Sequence, residues 1–263
     1  MELKAVDAYR SDWLRWVDFT ISRAEAFAVD ATSHTRSLEF GVETPAEAEA
    51  MFDALTYLKG ASIVRMLEQF VGEDNFRDGL RRYMAHHKFS NTETKDLWNA
   101  ISSETSHPVA DIMHDWVYAP GFPMIEATSS DGQVTLRQSR ASYIGSPEPA
   151  DHSWKIPLVV STPSGTESRV IETEETIDAA PGELIVINKD SHAFVKVAYD
   201  EELRGSLLDN LEELSPAERY GLIDDSWSAV LQGRMTTVSF LPLLEAFAFE
   251  ADRTVYLLSL IHI

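Results

Sequence analysis

The chain has 263 residues, 44% of them hydrophobic, and carries 43 Asp and Glu against 22 Lys and Arg, a formal net charge of −21. That length fills one or two hydrophobic cores and suggests two domains, while the acidity argues against nucleic acid or an anionic membrane as partner, since both need clustered cations to neutralise phosphates. With no cysteine there is no disulfide and no cysteine nucleophile, which suits a reducing compartment, the cytoplasm by default; neither a signal peptide nor an 18-residue apolar span is visible.

In chain order, residues 1–27 read as helix, with Leu3, Val6, Trp13, Trp16, Val17 and Ile21 in helical rhythm, a short turn near Tyr9 to Asp12, and both tryptophans in the core. Residues 28–44 are irregular. Thr44-Pro45-Ala46-Glu47 then predicts a helix start, with threonine at N-cap, proline at N1 and glutamate at N3. Beyond Ala61, the residues Ile63, Met66, Leu67, Phe70 and Val71 fall at i, i+3, i+4, i+7 and i+8, one buried face of an amphipathic helix. Tyr57 and Lys59-Gly60 interrupt that pattern where a purely structural helix would take Ala, Leu or Glu, and such a break invites a functional reading.

Gly72 ends that helix and Glu73 or Asp74 opens the next, striped by Phe76, Leu80, Tyr83 and Met84; two more follow, over 91–103 and 108–116. Metal binding among the histidines is weighed and set aside. His86 and His87 point about 100° apart on a helix, and His107 stands roughly 10 Å from His114, with Pro108 between them and Asp111 on the intervening turn, so a solvated face is expected.

Ala119-Pro120-Gly121-Phe122-Pro123 marks a boundary, after which the period changes from 3.6 to 2. Strands are expected around Val134–Leu136, Trp154–Val160, Leu184–Val186 and Phe194–Val197, with turns at Asp131-Gly132, Pro163-Ser164-Gly165 and Pro181-Gly182, making a small antiparallel β-sandwich. From Tyr199-Asp200 the helical period returns, and Ser215-Pro216-Ala217-Glu218 forms a second capping box.

The run from Phe52 to Ser62, FDALTYLKGAS, followed by Arg65-Met66-Leu67, resembles the aromatic-D-x-x-x-Y-x-K-G-A segment of the aminopeptidase N family of zinc metallopeptidases, the gluzincin aminopeptidases. Three further stretches carry the likeness. Ser33-His34 resembles the family's S-H-P, with Thr35 in place of proline; Trp116 through Pro123 resembles W-x-x-x-P-G-[YF]-P; and Arg219 through Asp225 resembles R-x-x-L-x-D-D. His34 is left open between lining a cleft and a hydrogen-bonded structural role.

The resemblance implies a fold of several α and β domains: residues 1–120 as the helical C-terminal half of a thermolysin-like catalytic domain, 121–199 as the β-sandwich, and 200–256 as the start of an α-helical repeat domain that exposes apolar surface at its end. Residues 257–263 match nothing in the family and are expected to be a non-native tail. It also implies that Tyr57 donates a hydrogen bond to the reaction's oxyanion, a role a phenol fills because it stays protonated at neutral pH, and that Phe52 neighbours the substrate side-chain pocket.

The family's H-E-x-x-H and its G-x-M-E-N loop are absent from the sequence, and the third zinc ligand is expected about six residues before Met1. The implied protein is therefore the C-terminal part of a zinc aminopeptidase acting on peptides, with zinc in the full-length enzyme, none bound by this chain, and the missing N-terminal part as its partner. The alternative is a non-catalytic peptide-binding or scaffold protein of the same architecture.

Overall fold

The computed structural model describes residues 2–146 and 152–261; Met1 and the last two residues of the expected tail, His262 and Ile263, lie outside them. The first part is helical: α1 (Glu2–Tyr9), a 3₁₀ turn (Ser11–Trp13), α2 (Arg15–Asp30), α3 (Pro45–Ala50), a π-helical turn (Leu55–Lys59), α4 (Gly60–Val71), α5 (Glu73–His87), α6 (Thr94–Ser102) and α7 (Val109–Tyr118). The predicted capping box of α3 is present, with Thr44 accepting from the Glu47 amide and Glu47 reaching back to Thr44. Helix α6 carries a box that the sequence reading did not find, Glu93 with Asp96.

Trp13 departs from its expected core position. It sits on the 3₁₀ turn, 53% exposed, with Arg10 over its ring at 4.8 Å. The turn breaks the helical phase between α1 and α2, so the stripe that buries Val17 does not extend back to it. Helices α5 and α6 meet closely at Gly79, where a Cβ would lie 2.7 Å from the Ile101 Cα.

The strands are β1 (Pro123–Ser130), β2 (Gln133–Arg140), β3 (Ile156–Thr162), β4 (Gly165–Ile171), β5 (Glu174–Asp178) and β6 (Lys196–Tyr199). β1 and β2 are joined by Asp131-Gly132, both at positive φ, the conformation that a two-residue hairpin requires. The expected all-antiparallel sandwich is corrected by the sheet order β5-β2-β1-β6, in which β6 runs parallel to β1. The chain from 179 to 195 carries it across the sheet from the β5 edge to the β1 edge, so β6 enters in the direction of β1. The stretch expected as a strand at Leu184–Val186 contributes only one bridge, Val186 to Ser161, and β3 and β4 pair as a separate hairpin.

One continuous core runs from Ala26 and Phe27 through α4, α6 and α7 into both sheets. Its centre is an aromatic triad: Phe27 of α2 stacks on Phe194 at 4.0 Å, and Phe122 meets Phe27 edge-on at 4.8 Å. Such pairs contribute about 0.5–1.5 kcal/mol each beyond their buried area. Trp116 of α7 donates to the Lys155 carbonyl at 3.0 Å and holds β3 against the helices.

A second core lies among α8 (Glu201–Asp209), α9 (Pro216–Leu231), α10 (Thr237–Ala246) and α11 (Arg253–Ile261), centred on Ile223, Phe240 and Val255. α9 opens with the predicted capping box of Ser215 and Glu218. Residues 257–261, within the expected non-native tail, continue α11, and Leu258 packs against this core. Val238 and Leu241 on α10, and Phe249 in the turn after it, expose large apolar surface.

β6 is fastened to α9 by charge. Lys196, buried and 4.4 Å over the Phe27 ring, pairs with Asp224 and with Asp225 at 3.2 Å, and Asp225 accepts from the Val197 amide at 3.1 Å. Burial pushes the Asp225 carboxyl up to about 6 against the opposing pull of Lys196. Because the folded value lies above the ordinary one of about 4, the folded state holds a proton between pH 4 and 6 that the unfolded chain has released. The contribution of Asp225 to stability is thus full below about pH 4 and is lost as pH rises through 6. Urea unfolding of the wild type and Asp225→Asn at pH 4 to 7 should show the wild type losing stability relative to the variant as pH rises, by roughly 1–3 kcal/mol.

Candidate functional site

Tyr57 lies in the π-helical turn that leads into α4. The wider turn places Leu55 and Lys59 inward and Tyr57 outward, and single π turns inside helices recur at functional sites. Tyr57 is 56% exposed and Phe52 75%, with ring centroids 6.0 Å apart, so the two residues singled out in the sequence share one surface. Among the described residues, no hydrogen bond engages the Tyr57 hydroxyl.

The backbone beneath Tyr57 is held firmly. Asp53 accepts from the Thr56 amide at 2.9 Å through its side chain and from the Tyr57 amide at 3.1 Å through its carbonyl, which starts the turn. Arg36 donates to the Asp53 carboxylate and to the Thr56 hydroxyl, each at 2.8 Å, and lies over the Phe40 ring at 4.7 Å. The irregular segment after α2 is thereby tied to the turn that carries the tyrosine.

Lys59 is fully buried, which explains the break in the helical pattern. Its ammonium pairs with Asp30 Oδ2 at 2.8 Å and donates to the Gly121 carbonyl at 2.9 Å. The second Asp30 oxygen accepts from the Gly121 amide at 3.1 Å and from the Thr35 hydroxyl at 2.5 Å, and that hydroxyl itself accepts from the Gly121 amide at 3.0 Å. Gly121 has φ +86, and a Cβ there would lie 2.9 Å from the Arg140 guanidinium. Burial pulls the Lys59 pKa down, with Asp30 opposing that pull. Thr35, the departure from S-H-P, therefore holds part of the network that the tyrosine turn rests on.

Asp53 and Thr35 appear in the sequence only as positions of matched motifs, and Asp30 and Arg36 carry no signal of a role there. A lysine on an inward face demands a buried acid, but nothing in the sequence says which acid answers it. His34 is exposed and its side chain does not join the site. His86 and His87 sit together on the last turn of α5, while His107 packs on Phe70 at 4.4 Å and His114 lies by Tyr118. Among the described residues, no three His, Asp or Glu side chains converge in a way that could hold a metal ion. No helix there is long and apolar enough to cross a membrane.

Comparison with known families decides the assignment. Residues 1–116 match the peptidase family M1 domain, and residues 184–261 match the ERAP1-like C-terminal domain. The chain belongs to the aminopeptidase N family. It is 31% identical over 97% of its length to Tricorn protease-interacting factor F2 of Thermoplasma volcanium, covering 32% of that protein. It is 30% identical over 95% of its length to aminopeptidase M1 of Arabidopsis thaliana, covering 31%, and 32% identical over 96% to the leucyl aminopeptidase of Saccharolobus solfataricus, covering 32%. The chain spans about a third of the length of these relatives.

The Asp30–Lys59 pair makes a specific claim about stability. Lys59→Met leaves a buried carboxylate unpaired and should destabilise the fold by about 3–5 kcal/mol, whereas Lys59→Met with Asp30→Asn should recover a large part of that loss. Chemical unfolding of the two single variants and the double variant measures the coupling.

Proposed function

We propose that this chain carries the oxyanion-stabilising part of a zinc-dependent aminopeptidase that removes N-terminal residues from peptides in the cytoplasm. In this reading residues 1–120 are the helical part of the catalytic domain, 121–199 a β domain between two helical ones, and 200–256 the beginning of the C-terminal helical domain. Zinc would supply the Lewis acid in the full-length enzyme, from ligands outside the described residues, and no step is assigned to it on this chain.

Tyr57 has the task of donating its hydroxyl hydrogen bond to the oxygen that gains charge as the peptide carbonyl becomes tetrahedral. A neutral donor fixed in advance at that point lowers the barrier by a few kcal/mol, because it needs no reorganisation when the charge appears. The observation that carries the reading is the combination of an unengaged, outward hydroxyl with a backbone clamped by Asp53 and Arg36. Phe52, beside it, lines the approach of the substrate side chain.

In the full-length enzyme, Tyr57→Phe should lower kcat by roughly 10² to 10³-fold with KM, zinc content and melting temperature close to wild type. Steady-state kinetics at equal zinc occupancy, together with thermal unfolding, checks this; unchanged turnover would remove the assignment. The chain of 263 residues alone should bind no stoichiometric zinc and hydrolyse no aminoacyl reporter. Metal analysis after dialysis, and activity that disappears on chelation, would contradict that expectation.

A further inference from the structure

The π-helical turn that carries Tyr57 is attached to the rest of the molecule at both of its ends, and the two attachments differ in kind. At the far end Lys59 is fully buried, paired with Asp30 and bonded to the Gly121 carbonyl. At the near end the hold is Arg36, whose side chain is 22% exposed. Given the peptidase reading, on which this rests, we propose that Arg36 is a positioning residue of the reaction. It fixes where the Tyr57 hydroxyl stands, touches no substrate, and carries little weight in the stability of the fold.

The bonds around Arg36 form a closed ring just before the tyrosine. One terminal nitrogen donates to Asp53 Oδ1 and to the Thr56 hydroxyl, each at 2.8 Å, and the same Asp53 oxygen accepts from the Thr56 amide at 2.9 Å. The Asp53 carbonyl then takes the Tyr57 amide at 3.1 Å. The guanidinium is itself fixed on its other side: its second terminal nitrogen donates to the Ser37 carbonyl at 2.9 Å, and its face lies over Phe40 at 4.7 Å. A planar fork held by one edge and one face has little rotamer freedom left, so it passes on the position of its own backbone. That backbone is tied to α7, because the Leu38 and Glu39 amides both donate to the Val117 carbonyl, at 2.9 and 3.2 Å, and Leu38 packs on the main core. The tyrosine turn is thus referenced to α7 by a route that does not pass through Lys59.

The difference in burial separates the two roles. Removing Lys59 strands a buried carboxylate, whereas removing Arg36 leaves Asp53, 36% exposed, where water can solvate it. The cost then falls on geometry. Asp53 still accepts from the Thr56 amide, but the ring is open and the turn is free to tilt. A phenol hydroxyl sits at the far end of its side chain, so a small tilt of the backbone displaces it considerably, and a misplacement of about 1 Å costs up to about 10²-fold in rate. The loss is bounded by that of deleting the hydroxyl outright.

The test is a double-mutant cycle in the full-length enzyme between Arg36→Met and Tyr57→Phe, with melting temperature and zinc content measured on each protein. Arg36→Met should lower kcat by about tenfold or more, with KM within about twofold of wild type and the melting temperature little changed. In the Tyr57→Phe background the same change should lower kcat by less than about twofold, since no hydroxyl remains to be misplaced. Arg36→Lys should recover only part of the loss, because an ammonium keeps the charge without the fork. A full loss in both backgrounds would show a general structural role and overturn the proposal, as would wild-type kcat in Arg36→Met. If Arg36→Met does not fold, Arg36→Lys carries the test: it should lower kcat several-fold, and wild-type kcat there would overturn the proposal. Unchanged turnover in Tyr57→Phe would sink the peptidase reading and this inference together, whereas a tyrosine effect without an Arg36 effect would sink this inference alone.

Discussion

The structure depends on one buried ion pair. Asp30 ends α2, Lys59 ends the π-helical turn, and both side chains are closed off from solvent, meeting over the backbone of Gly121. Two charges taken out of water are tolerated when further hydrogen bonds support them, and here the Gly121 amide and the Thr35 hydroxyl serve Asp30 Oδ1, the Gly121 carbonyl serves Lys59, and Asp30 Oδ2 has the Lys59 ammonium alone. The pair therefore joins three places far apart in sequence: the helix that starts the core, the turn that displays Tyr57, and the entry into the first strand. Displacing any one leaves a charge or a peptide group without its partner.

The aromatic triad of Phe27, Phe122 and Phe194 extends that junction into the β region, and its surroundings repeat the theme. Lys59 lies 5.9 Å from the Phe194 ring and Lys196 lies 4.4 Å over the Phe27 ring, so the stacked rings are flanked by ammonium groups that each have carboxylate partners. Cations over aromatic faces gain most when desolvated, which makes these rings suitable neighbours for buried lysines. Through Lys196 the same core reaches Asp224 and Asp225 on α9. A chain of packing and ion pairs thus runs from the tyrosine turn to the C-terminal helices.

This arrangement separates support from chemistry. The side chains that would meet a substrate, Tyr57 and Phe52, are exposed and lightly engaged, while the residues beneath them, Asp53, Arg36, Lys59 and Asp30, are bonded to each other or to backbone. A donor can be preorganised only if its own backbone does not move, and the π turn meets that requirement through Asp53 and Arg36 rather than through the tyrosine ring.

Much of this was determined by the sequence alone, because the signals are local. Capping boxes at Thr44 and Ser215 act within one helical turn, the apolar stripe from Ile63 to Val71 is a matter of period, and the Asp131-Gly132 hairpin depends on two residues that accept positive φ. The tyrosine motif, too, is contiguous and could be matched as it stands. Tertiary structure decided what involves partners distant in the chain: that Lys59 finds Asp30, that Arg36 clamps Asp53, that β6 enters parallel to β1, and that Trp13 stays outside. Periodicity says that a face is buried but not against what, and a charge on such a face demands a counter-charge without naming it. Those choices follow from packing, where only the folded chain brings the candidates together.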